Sequence, residues 1–128
     1  MALVRLDDAK VLLANERFSA AFYLAGYVVE CALKACIAGH TRQYEFPDKK
    51  RAEKSHTHKV RDLAVVAQLP TDVDFEKDRT LREYWQMIST RWSETCRYEN
   101  RWRTEAEALL EAVDDPNHGV LQWLQKYW

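Results

Sequence analysis

The chain has 128 residues, 47% of them hydrophobic and 30% charged, which suits one domain built on one apolar core. Only three Gly and three Pro are present, too few turn residues for a many-stranded β protein. A net charge of −1 excludes the overall basic signature of a nucleic-acid binder, so any such contact needs a local patch.

Residues 2 to 14 carry Leu3, Leu6, Ala9, Leu12 and Leu13 at helical spacing, opposite Arg5, Asp7, Asp8 and Lys10. This predicts a first, amphipathic helix, and its early charges argue against a signal peptide. Residues 16 to 38 form the longest periodic segment, with Gly39 as its expected stop. It is long enough to span a bilayer, but Glu30 and Lys34 would each cost about 2.5–3.5 kcal/mol at mid-membrane. A buried core helix is therefore expected, with no membrane partner.

Residues 40 to 57 are polar and basic and predict a long loop. A third helix is expected over 58 to 68, ended by Pro70. A fourth is expected over 74 to 90, capped by Asp72 or Asp74 and facing inward with Phe75, Leu81, Tyr84, Trp85 and Ile88. Thr104 with Glu107 reads as a capping box for a fifth helix. Asp115-Pro116 reads as the N-cap and first residue of a last helical segment. The expected fold is all-α, a single domain over residues 1–128 built as an antiparallel four- to five-helix bundle. Cys31, Cys36 and Cys96 are odd in number and lack framework spacing, which predicts reduced thiols and a cytoplasmic location.

At about 100° per residue, Ser19, Tyr23, Tyr27, Glu30 and Lys34 fall within an arc of about 80° on the second helix. Glu30 precedes Lys34 by four, the favourable order for a helical ion pair. Such a stripe fits a solvated face or the wall of a cleft or subunit interface. Two basic clusters follow. Lys49, Lys50, Arg51, Lys54, Lys59 and Arg61 surround His56 and His58. Arg91, Arg97, Arg101 and Arg103 interleave with Trp92, Tyr98 and Trp102, rings able to stack on a base. No set of His, Cys and carboxylates has metal-ligand spacing, and no Gly-rich phosphate loop is present, so neither metal nor cofactor is expected.

The stretch YLAGYVVECALKA at 23–35 resembles the signature of the HEPN domain family. So do the W-x-x-I-x-x-x-W of Trp85, Ile88 and Trp92, the following Arg97-Tyr98, and His58 ahead of Leu63. The likeness covers roughly residues 3 to 112. It implies a helical bundle that forms a homodimer, partnered in toxin–antitoxin modules by a small nucleotidyltransferase. Some members are metal-independent ribonucleases carrying Arg-x4–6-His near the start of a late helix, supported by a polar residue on the second helix. Here Arg97 stands in that place and no His follows within six residues. Arg51 and His56 fit the spacing but lie in the basic loop. A His is needed to move the ribose proton, whereas an Arg alone only holds phosphate. The resemblance therefore implies a non-catalytic or degenerate module binding nucleotide, RNA or a nucleotidyltransferase. Arg97 would hold phosphate or carboxylate with Tyr98 as its positioning neighbour, beside Glu30, Lys34, Tyr27 and Tyr23. Two alternatives remain: a ribonuclease toxin using Arg97 with His56 or His58, and a structural helical interaction protein.

Overall fold

The computed structural model describes residues 1–43, 53 and 56–128, and among these it is all-helical. Its elements are α1 (Ala2–Ala14), α2 (Phe18–Gln43), α3 (Val60–Val66), α4 (Thr71–Lys77), α5 (Arg79–Arg91), a 3-10 turn (Glu94–Tyr98), α6 (Arg103–Asp114) and α7 (Val120–Leu124). α2 is the hub: α1, α3, α6, α7 and the 3-10 turn all pack on it. The reason is written in its composition. Phe22, Val28, Val29, Leu33 and Ile37 supply bulk, while Ala21, Ala25 and Ala32 let neighbouring backbones approach, and all are buried. Over Phe18–His40 this helix is apolar and long enough to cross a membrane by composition, yet 61% of the qualifying window is buried inside the bundle. Cys31, Cys36 and Cys96 are free thiols. The buried Cys36 thiol bonds to the Leu124 carbonyl, and desolvation pushes it up to about 11.

Several boundaries differ from the sequence expectation. Gly39 does not stop α2, because no glycine here adopts positive φ and a helix continues through a glycine that stays right-handed. The actual helix-ending left-handed residues are Glu16 after α1 (φ 61) and Gln68 after α3 (φ 56). The helix expected over 74–90 is two helices. Asp78 breaks it at extended φ and ψ, and its Oδ1 accepts the Leu81 N–H at 3.0 Å as the N-cap of α5. Asp74 caps nothing; it accepts from Trp123 Nε1 at 2.8 Å and from the Tyr127 hydroxyl, tying α4 to the C-terminal residues. For α6 the capping carboxylate is Glu105, which accepts the Trp102 N–H at 3.2 Å, and not Glu107. Thr104 already lies inside that helix. Asp115 does not start α7. Its Oδ1 accepts the N–H groups of Asn117 and His118 in a turn that follows α6.

A close approach fixes Trp92, the residue that follows α5, against α2. A Cβ added at Gly26 would lie 2.1 Å from the Trp92 ring. Trp92 is buried, and its Nε1 donates to the Tyr23 carbonyl at 3.0 Å. Gly26→Ala is expected to destabilise the chain by about 1–3 kcal/mol despite the better helix propensity of Ala. A lowered urea midpoint at unchanged m-value checks this.

A polar knot joins α5 to the α6–α7 turn. His118 Nδ1 sits 2.8 Å from Asp78 Oδ2, and the Tyr84 hydroxyl donates to Asp115 Oδ2 at 3.0 Å. The Asp78 bond holds His118 above the ordinary imidazole range. For Asp78 itself, partial burial pushes upward, but the His118 contact and the Leu81 N–H outweigh it and keep the carboxyl low. The raised imidazole stabilises fully below about pH 6.5 and loses its effect as pH rises through its folded pKa. The lowered carboxyl stabilises above about pH 4 and loses its effect as pH falls. The contact is therefore strongest between those limits. Melting temperature is expected to fall from pH 6 to pH 8.5 more in the wild type than in His118→Ala.

Candidate functional site

The polar stripe of α2 faces the chain's own later segments. At its start, Ser19 Oγ accepts the Arg101 N–H at 2.8 Å. One turn on, Tyr23 stacks on Trp92 and on Tyr27, with centroids 6.0 and 6.1 Å apart. Tyr27 is held above the ordinary phenol range, first by the neighbouring Cys31 thiol, whose own value burial raises. At the far end Glu30 is 2% exposed, and both its oxygens are engaged. Lys34 Nζ lies 3.3 Å from Oε2, and His58 Nδ1 lies 3.0 Å from Oε1. The imidazole continues outward: Nε2 is 3.2 Å from Glu94 Oε2 on the 3-10 turn. Lys34, Glu30, His58 and Glu94 thus form one chain of contacts across three elements.

Burying a carboxylate is costly without partners, and Glu30 has two. Both ring nitrogens of His58 face carboxylate oxygens, and both can donate only as an imidazolium. A cleft of about 630 Å³ opens beside this cluster, lined by His58, Lys59, Arg61, Thr90, Ser93 and Glu94, among others. Its walls carry hydroxyls and charges of both signs. No group of three or more potential ligands converges on a metal position among the described residues.

The remaining candidates lie apart. Arg97 and Tyr98 belong to the exposed face of the 3-10 turn, the guanidinium 4.8 Å from the ring centroid. Tyr98 is 77% exposed and Trp102 is 78% exposed. With about three residues per turn in a 3-10 helix, Glu94 and Arg97 project from the same side of that turn. Arg97 is therefore near the His58 end of the seam, yet no contact joins it to Glu30, Lys34 or His58. His56 sits exposed in a turn with its backbone N–H on Glu53. Its spacing partner Arg51 lies outside the described residues, as do Lys49, Lys50 and Lys54.

The four-arginine cluster also separates. Arg101 is turned inward, bonded to Glu99 and Glu105, 4.5 Å from the Phe22 ring centroid, with Nη2 on Cys96 Sγ at 3.6 Å. Arg103 pairs with Glu16 at 2.7 Å and lies over Phe18. Sequence reasoning missed Glu94 as the second partner of His58. Nothing in the local sequence marks it, because the contact spans residues 58 and 94 and depends on how the 3-10 turn docks on α2. No protein-family model, no curated protein and no solved structure matches the chain.

His58→Ala would leave one oxygen of a buried carboxylate unpaired and is expected to destabilise by about 1–3 kcal/mol. The added change Glu30→Leu removes the orphaned charge and is expected to recover part of that loss. Urea unfolding of the two single variants and the double variant measures the coupling.

Proposed function

We propose that this chain is a non-catalytic, HEPN-like module, homodimeric and cytoplasmic, that binds RNA, a nucleotide or a small nucleotidyltransferase partner. The observation that carries the reading is the division of labour between Arg97 and His58. Arg97 presents its guanidinium on the exposed Tyr98 ring, and Trp102, five residues on, is exposed as well, a combination suited to a phosphate and a stacked base. His58 has a carboxylate on each nitrogen, and those negative charges oppose the approach of a phosphate. A phosphate-holding cation and a proton-moving imidazole are thus not paired in one site.

A second reading, a ribonuclease toxin, is favoured by one contact. Glu30 holds His58 by Nδ1, the arrangement in which a carboxylate orients an imidazole whose other nitrogen does proton transfer. Glu94 would have to leave Nε2 for this to operate.

Titrating a fluorescent single-stranded RNA and a labelled nucleotide into the purified protein tests both. Binding without cleavage is expected, weakened about tenfold or more in Arg97→Ala and again in Trp102→Ala. Robust RNA cleavage lost in Arg97→Ala overturns the non-catalytic reading. Growth arrest on expression that disappears in His58→Ala and persists in His56→Ala establishes the ribonuclease one.

A further inference from the structure

A cleft of about 830 Å³ lies between α3, α4 and α5, lined by none of the residues of the Arg97 face. It exists because α3 packs on α2 while α4 packs on α5, which leaves a gap between the two pairs. Its apolar wall is Phe75 and Trp85, with ring centroids 6.0 Å apart. Trp123 backs both rings, at 5.0 and 5.9 Å, and Asp74 anchors Trp123 from behind by its 2.8 Å bond to the indole nitrogen. The wall is therefore a fixed aromatic surface and not a loose patch.

Arg61 and Arg82 border the same cleft from α3 and α5, and neither side chain has a hydrogen bond or ion pair with another described residue. Asp72 and Glu76 line it as well, again without a described partner.

A third observation points to the same place. Gln68 lines this cleft and holds φ at 56°, a left-handed conformation that glycine adopts without cost and Gln does not. The turn itself needs only the backbone: Gln68 N–H donates to the Val65 carbonyl at 3.0 Å and Leu69 N–H to the Ala64 carbonyl at 3.3 Å. The other residue in this conformation, Glu16, has a use for its side chain in the bond to Arg103. The Gln68 amide has no partner among the described residues. The left-handed turn thus caps α3 through its backbone and leaves the Gln68 amide at the cleft wall open to a ligand.

We infer that this cleft binds a small molecule combining a flat aromatic ring with an oxyanion. The ring lies against Phe75 and Trp85, the oxyanion is held by Arg61 and Arg82, and the Gln68 amide bonds the ligand's polar edge. Asp72 and Glu76 accept from donors on the ring and repel longer polyanions, which separates this site from one for RNA. The volume matches pockets for molecules of this size. Aromatic carboxylates and nucleoside monophosphates share the required chemistry.

Calorimetric titration of the full chain with AMP, indole-3-acetate, neutral indole and inorganic phosphate tests the assignment. Saturable binding of AMP or indole-3-acetate is expected, and the one that binds identifies the source. Neutral indole and phosphate alone are expected to bind at least about tenfold more weakly. Arg82→Ala is expected to weaken the ring-bearing anion about tenfold or more. Gln68→Gly is expected to raise the melting temperature and weaken binding together, an effect a purely structural residue would not give. Failure of both ring-bearing anions to bind overturns the inference. So does phosphate binding as tightly as either, or unaltered binding in Arg82→Ala or Gln68→Gly.

Discussion

Glu30 is the one buried charged residue among the described positions, and the arrangement around the seam follows from it. A carboxylate inside a helical core needs donors on both oxygens. Lys34, one turn along α2, supplies one donor from the same helix. The other comes from His58, which lies just ahead of α3. That long-range contact fixes the entry to α3 against α2, and through Glu94 it reaches the 3-10 turn as well. Aliphatic packing alone would fix these segments less specifically, since apolar contacts tolerate sliding whereas a hydrogen-bonded ion does not.

The aromatic residues divide into two groups with different physics. Trp92 is locked over Gly26, where only hydrogen fits, and its indole N–H reaches an α2 carbonyl. Trp85 and Trp123 form a second packed cluster with Phe75, closed off by Asp74. Tyr98 and Trp102 stay in solvent although they interleave with the same arginines. Rings this exposed gain little from the core.

Much of the fold was legible because helical periodicity is a local property. The composition of α2, the amphipathic α1 and the all-α class follow from spacing within single segments. The boundaries were less legible for an equally physical reason. Asp72, Asp74, Asp78, Glu105 and Glu107 are all competent caps by type, and which carboxylate meets a free N–H depends on where the neighbouring helices hold the chain. Asp74 is the clearest instance: its position suits an N-cap, but Trp123 and Tyr127 arrive from the C-terminus and take its oxygen. Asp115 likewise serves a turn rather than a helix start, because the two N–H groups nearest to it belong to Asn117 and His118.

By itself the sequence determined the helix class, the hub role of α2 and the narrow polar line that Ser19, Tyr23, Tyr27, Glu30 and Lys34 draw along it. Those are consequences of residue type and a fixed angle per residue. Only tertiary structure decided what that line meets: the Arg101 backbone at Ser19, Trp92 at Tyr23 and His58 at Glu30. The same holds for the arginines, four alike in sequence, of which Arg101 is turned inward and Arg97 outward. Charge and spacing are properties of the chain, but burial and partnership are set by segments tens of residues away.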